Sequence, residues 1–334
     1  MELSIVICTI FKNNLLFETL DSIKKQSVDQ GRIEVLVIDN RIEVADNELE
    51  ELVLSYKYRY LKEPNFGLTG ARHAGLKFST GKILSYIDDD VILPVDWAVN
   101  LLNSFQTEQW QLATGPAYPL FDSHIPKWLK SFIETTPYGG WALPWLSVFD
   151  LGIRSGYISP LYVWGLNFSI QKEVLLKYGG FNPDLMPSNL QDYVGDGETG
   201  LAKKLINADI EAFYDQNLHV FHKCPQERLS FEYFYNRSLY ISKAEAFSKY
   251  RRELNGAFLS IVKSAIIRKI LLPFNLLARS PQILAIISKI IGPNVLCFIL
   301  KYAIHYNSHM HFKKISLDEE LKRWVLKQSF IDSL

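Results

Sequence analysis

Three short apolar runs and a more polar, strand-like stretch, each parted from the next by polar or helix-spaced residues, occupy about the first 90 residues and restrict the fold more than any other feature. They are Leu3–Thr9 (LSIVICT), Ile33–Ile38 (IEVLVI), Tyr58–Lys62 and Lys82–Ile87 (KILSYI). The runs are continuous and mostly not alternating, and this suits strands covered on both faces. Leucines and isoleucines recur at helical spacing through Asn14–Gln26, and Leu68–Lys77 follows a turn at Pro64–Gly67. Strands alternating with helices make an α/β layer with a largely parallel sheet.

In open sheets of this kind ligands bind beyond the carboxyl ends of the strands. Three of the four runs end in something polar: Thr9 after the first, Asp39 after the second, and Asp88–Asp89–Asp90 after the fourth. Asp39 followed by Asn40 also reads as a simple turn or cap. Three adjacent carboxylates repel unless a cation offsets them, and a divalent hard cation with oxygen ligands is the economical partner.

The segments SIVICT, EVLVIDN, EPNFGLTGARHAGL, GKILSYIDDDVILPVDW and GLNFSIQKEVLLKYGGFNPDL occur in that order. In this the chain resembles family 2 glycosyltransferases over roughly residues 3–230. The resemblance implies a GT-A fold: a Rossmann-like mixed, mainly parallel sheet flanked by helices, here with a C-terminal helical extension. It implies a nucleotide-diphosphate-sugar donor (UDP foremost, by its frequency in the family), bound Mg2+ or Mn2+, and inversion at the anomeric carbon. IDDDV resembles the family's DxD element. Thr9, Asp39 and Arg72 then fall where the nucleobase and ribose are held, Asp88 on the ribose and sugar side, and Asp90 at the metal, with Asp89 in the same donor site. Asn167, from GLNFS, falls in the segment lining the donor-sugar pocket. His222 falls where relatives carry a histidine that reaches the metal or diphosphate, although a buried hydrogen-bonded histidine is an equal reading.

An acceptor hydroxyl must lose a proton as it attacks, so a general base is required. The family usually carries Glu–Asp at a helix start here. In VGDGETGLAKKL, Glu198 takes the place of that Asp and Gly197 replaces the Glu. Asp196 is the reserve base, and capping of the helix is the alternative use of both carboxylates. Trp141, Trp145 and Trp164 lie in an aromatic, Pro- and Gly-rich middle that reads as loops with a few strands. One of the three is expected to stack on an acceptor sugar, because aromatics more often build cores. Arg228 and Arg237 either approach phosphate or an anionic acceptor or pair with acidic neighbours, and pairing is the favoured reading.

Residues 1–100 are thus the nucleotide-sugar half of one domain, 101–230 its acceptor-binding and catalytic half, and 231–334 a helical region. Lys+Arg and Asp+Glu each number 36, and this balance gives no reason to expect nucleic-acid binding. The charge is unevenly placed: residues 251–334 hold 13 basic and 5 acidic side chains, and residues 1–250 hold 23 and 31. The basic tail is also apolar (GAFLSIVKSAIIRKILLPF and QILAIISKIIGPNVLCFILKYAIHY), but Lys263, Arg268, Lys269, Lys289, Gly292, Pro293 and Lys301 interrupt it. No spanning helix is expected. Residues 256–334 either lie on an anionic membrane surface or pack on the body as a helical subdomain.

Cys8, Cys224 and Cys297 form no disulfide or metal spacing, and MELSIVICTIFKNN lacks a basic region leading into a long apolar one. A cytoplasmic protein without a signal peptide is expected, placed at the inner face of the membrane if the tail binds it. The Q-x-x-R-W element of processive synthases is absent, so transfer of one sugar to a glycan or lipid-linked glycan in surface-polysaccharide synthesis is favoured. The alternative is a catalytically silent relative serving as an assembly partner. No G-x-G-x-x-G or G-x-x-x-x-G-K-[ST] occurs, which sets aside dinucleotide and P-loop folds.

Overall fold

The computed structural model describes residues 1–11, 15–42, 47–107, 110–252, 271–292 and 294–331. In chain order the first half runs β1 (Leu3–Thr9), α1 (Leu15–Lys24), β2 (Ile33–Asp39), α2 (Glu48–Ser55), β3 (Arg59–Lys62), α3 (Gly67–Phe78), β4 (Ile83–Asp88), β5 (Val91–Ile92), α4 (Trp97–Thr107), β6 (Leu112–Thr114) and β7 (Ala117–Phe121). There follow β8 (Glu134–Thr135), β9 (Trp141–Leu143), β10 (Val148–Asp150), β11 (Ser155–Ile158), β12 (Asn167–Gln171), α5 (Lys172–Lys177), α6 (Gly197–Ile206), β13 (Ala212–Asp215) and β14 (Val220–Cys224). The rest is helical: α7 (Phe231–Arg252), α8 (Leu271–Ala278), α9 (Pro281–Ile290), α10 (Asn294–Leu317) and α11 (Glu319–Leu326).

The main sheet has eight strands in the order β11-β13-β6-β12-β4-β1-β2-β3. The four strands from β3 to β4 are mutually parallel, whereas β12 runs antiparallel to both β4 and β6. Ile5, Val6, Ile7, Leu36, Val37 and Leu84 are fully enclosed between the helices on the two faces, and this is why their runs carry no polar alternation.

The middle of the chain departs from the loop reading. Six strands form a second sheet, β5-β14-β7-β10-β9-β8. Most of these strands are two or three residues long, too short to show a period of two in the sequence. Leu143, Trp145 and Val148 of this region share one core with Phe234 of α7 and with Leu296, Ile299 and Leu300 of α10. The C-terminal helices therefore pack on the body. Residues 253–270, with Lys263, Arg268 and Lys269, lie outside the described residues, as does Pro293. Among the described residues no single helix is long and apolar enough to cross a membrane, and α8 with α9 passes such a test only as a pair bent by 104°.

Candidate active site

Parallel register sets Thr9 opposite Asp39, and Cys8 opposite Asp88, so three polar strand ends meet along one edge of the main sheet. After Asp88 the chain turns through Asp89 and Asp90 and enters β5, which pairs antiparallel with β14 so that Val91 faces His222. The Lys223 amide donates to the Asp90 carbonyl at 2.9 Å and fixes the turn. The 3-10 turn Gln226–Leu229 after β14 then carries Arg228 over Asp90. A junction of two sheets thus brings Asp90, His222 and Arg228 together from positions far apart in the chain.

The Arg228 guanidinium pairs with Asp90 Oδ2 and donates to His222 Nε2 at 2.8 Å. The same ring nitrogen lies 3.2 Å from Asp90 Oδ1. Nε2 serves one of them at a time: unprotonated it accepts from Arg228, protonated it faces Asp90 Oδ1, which is otherwise buried without a hydrogen-bond partner. Burial would raise the Asp90 pKa, but His222 and Arg228 pull it down to about 2. Asp88 is raised, by burial and then by the charge of Asp90. Asp89 is pushed up to about 7 by the same causes, against a hydrogen bond from the Thr9 hydroxyl. The cluster is short of positive charge, which is the setting a hard cation relieves. Among the described residues no ready-made group of three or more acidic, histidine or cysteine side chains surrounds a metal position. Asp88, Asp90 and His222 lie together at this turn, so any cation bound there would need further ligands from outside the chain.

The opposite wall is built by α3 and α6. Arg72 of α3 is buried, lies 3.0 Å from Glu198 Oε2 and 3.4 Å from Asp184 Oδ2, and sits over the Phe181 ring. Gly165 admits it: a Cβ there would stand 2.0 Å from Arg72 Nη2. Burial works against the ionised form of Glu198, but the Arg72 charge outweighs it and holds the carboxyl below its usual range. Asp184 moves the other way, up to about 7, through burial and repulsion by Glu198. The two carboxyls thus shift in opposite directions, and Asp184 is the more readily protonated of the pair.

This explains the missing glutamate at residue 197. Gly197 has φ +50°, and a Cβ there would fall 2.6 Å from Asp184 Oδ2. The position excludes a side chain because a second carboxyl already fills the space. Asp184 was not singled out in the sequence. Its signal was the NPDL end of the quoted GGFNPDL segment, a carboxylate inside an otherwise apolar stretch.

Several expected residues are placed differently. Asp196, the reserve base, accepts from Asn182 Nδ2 at 2.7 Å, from Lys203 at 3.1 Å and from Ser248, so its carboxylate is spent in tying α6 to α7. Asn167 donates to the carbonyls of Gly115 at 3.3 Å and Leu218 at 2.8 Å, inside the sheet and away from the donor pocket. Trp145 is buried against Phe234, with ring centroids 5.2 Å apart and planes 9° apart, and Trp141 packs on the same core. The Trp145 ring is enclosed, whereas Trp141 is only partly buried. Trp164 does line the cleft. Asp39 is held by Arg41 at 3.0 Å, the Tyr60 hydroxyl at 2.8 Å and Lys62 at 3.4 Å, so a ribose reaching it would have to displace Arg41.

The two walls enclose a cleft of about 1060 Å³ lined by Thr9, Arg72, Asp88–Asp90 and Glu198. The arrangement can bind a charged ligand at one wall and accept a proton at the other.

Residues 4–179 match the family described as Glycosyl transferase family 2. The chain is 30% identical to the succinoglycan biosynthesis protein ExoM of Rhizobium meliloti (strain 1021) over 143 residues, 41% of this chain and 46% of that protein. It is 22% identical to the glucosyl-dolichyl phosphate glucuronosyltransferase of Haloferax volcanii over 249 residues, 72% of this chain and 75% of that one. It is also similar to S. aureus TarS 1–349 crystallised with UDP, at a TM-score of 0.49 and 13% identity over 95% of this chain and 92% of that one.

Proposed function

Because the chain belongs to glycosyl transferase family 2, we propose that it moves one sugar from a nucleotide-diphosphate sugar to a hydroxyl of a glycan or lipid-linked glycan, with inversion. The observation that carries this reading is one cleft with a desolvated aspartate cluster on one wall and an ionised glutamate on the other. Held by Asp90 and Asp88, with His222 beside them, Mg2+ or Mn2+ would neutralise charge on the departing nucleoside diphosphate. Glu198 is the general base. The acceptor oxygen bonds to the anomeric carbon, the bond from that carbon to the diphosphate breaks, and the hydroxyl proton passes to Glu198. Arg72 keeps Glu198 ionised and fixes its position, and it lies nearer to Glu198 than to Asp184. Gly197 no longer favours a silent relative, since its cause is steric.

The name of the Rhizobium meliloti relative supports a place in surface-polysaccharide synthesis. Three free cysteines, and apolar side chains left exposed on α8 and α9, support a site at the cytoplasmic face of a membrane. The test is thermal melting with Mn2+ and, in turn, UDP, GDP, dTDP and CDP, UDP being the first choice. A ligand at about 100 times its Kd adds ~2.7 kcal/mol of stability. One nucleotide should raise the melting temperature, and Asp90→Ala should abolish the rise. Glu198→Gln should keep the rise yet lose transfer by about 10²–10⁴-fold. Transfer at the wild-type rate in Glu198→Gln would remove it as the base, and no shift with any nucleotide would overturn the donor reading.

A further inference from the structure

A second cavity, of about 1130 Å³, runs between α7 and α10 and meets the first at Asp88, Arg228, Arg237 and Tyr240. Its charge is one-sided. Arg228, Arg237, Lys243, Lys313 and Lys314 line it, and the only acidic residue among its described lining is Asp88, at the junction. Arg228 is committed to Asp90, and Lys314 to Asp192 at 2.5 Å. Lys243 donates to the neutral Gln191 Oε1 at 3.0 Å. Among the described residues no carboxylate lies within ion-pair distance of Arg237, Lys243 or Lys313, and the buried Arg237 Nε has no hydrogen-bond partner. Desolvation lowers the Lys243 pKa against the more distant charge of Asp192, so the cavity holds cations at some cost and with no carboxylate in direct contact with Arg237, Lys243 or Lys313. Its otherwise mixed wall includes Tyr233, Tyr240 and Leu185, surfaces on which the apolar face of a sugar can rest.

We infer that this cavity is the acceptor subsite and that the acceptor is an anionic glycan, bearing phosphate or carboxylate near the hydroxyl that is glycosylated. The inference rests on the glycosyltransferase reading above. Its reasoning is positional: the accepting hydroxyl must reach Glu198 in the first cleft, which this cavity joins, so the rest of the acceptor extends along α7. Arg237 and Lys243 are six residues apart on α7, about 9 Å along its axis, and so read charge beyond the reacting sugar.

The experiment titrates the full chain by saturation-transfer NMR with UDP and Mn2+ saturating, so that the diphosphate position is filled. The probes are glucose 1-phosphate, methyl β-glucuronide and neutral methyl β-glucoside. At least one anion should bind about tenfold more tightly than the neutral sugar, as expected of one or two solvated charge pairs. The stronger anion identifies the source as phosphate or uronate. In a Lys243→Gln/Lys313→Gln variant the preference should fall to within about threefold, with the melting shift given by UDP and Mn2+ unchanged. Equal binding of neutral and charged sugars, or a preference intact in the variant, overturns the inference. Loss of the nucleotide shift in the wild type would instead overturn the donor reading, and the same titration without nucleotide would still report on the cavity.

Discussion

Gly197, Asp184, Glu198 and Arg72 form a set in which each residue explains another. Arg72 holds Glu198 ionised, Glu198 raises Asp184, and Asp184 forbids a side chain at residue 197. Gly197→Ala should therefore cost about 1–3 kcal/mol, because it adds a collision to a left-handed backbone. Chemical denaturation measures it, and an unchanged midpoint would mean that the two carboxyl-bearing segments are not packed as described. The proton on Asp184 gives a second prediction. Its folded pKa, about 7, lies above the unfolded value near 3.9. The folded state then binds more protons between those values, so this group's contribution is full below about pH 4 and is lost as pH rises through about 7. Asp184→Asn removes the dependence. The wild type should lose melting temperature relative to this variant between pH 5 and pH 8, and a constant gap would place the shared proton elsewhere.

At the scale of elements, the latch between α6 and α7 separates structural from catalytic carboxylates. Asp196→Ala should destabilise by about 1–3 kcal/mol, since it strands the buried Asn182 amide. Transfer per folded molecule should stay close to wild type, and a collapse of turnover without loss of stability would restore Asp196 as a base. What could be read in advance follows from the same distinction. The ends of β1, β2 and β4 were legible because long apolar runs stop on Thr9, Asp39 and Asp88, and register alone brings those ends together. The second sheet was not, because strands such as Val91–Ile92 and Glu134–Thr135 carry no periodicity. With it went the placement of Arg228 on Asp90 and of Trp145 against Phe234, both of which depend on pairings distant in sequence. An aromatic-rich middle reads equally as sugar platform or core, and only packing separates the two.

At the scale of the whole molecule, the tail divides its labour along its length. Leu296, Ile299, Leu300 and Ile304 of α10 are sealed into the core with Phe234, so removing residues 256–334 would strip the core beneath the second sheet and could not report on membranes alone. Phe298, Met310 and Leu317 of α10 are exposed singly, but a cluster of exposed apolar side chains lies earlier. Leu272 and Leu276 on α8, and Ile283, Ile286 and Ile290 on α9, recur at helical spacing, with Ile286 56% and Ile290 77% exposed. Arg279 and Lys289 accompany them, and no acidic residue lies between 271 and 292. Apolar burial supplies affinity for a bilayer, while each basic residue near an anionic surface adds about 1 kcal/mol that salt screens. The protein should therefore float with vesicles containing phosphatidylglycerol, float less with neutral phosphatidylcholine vesicles, and be released in part by high salt. Ile286→Glu/Ile290→Glu should abolish flotation while leaving the melting temperature within a few degrees, because both side chains already face solvent. Equal flotation of this variant and the wild type would show that α9 does not touch lipid, and no flotation of either would leave the tail as packing for the body alone.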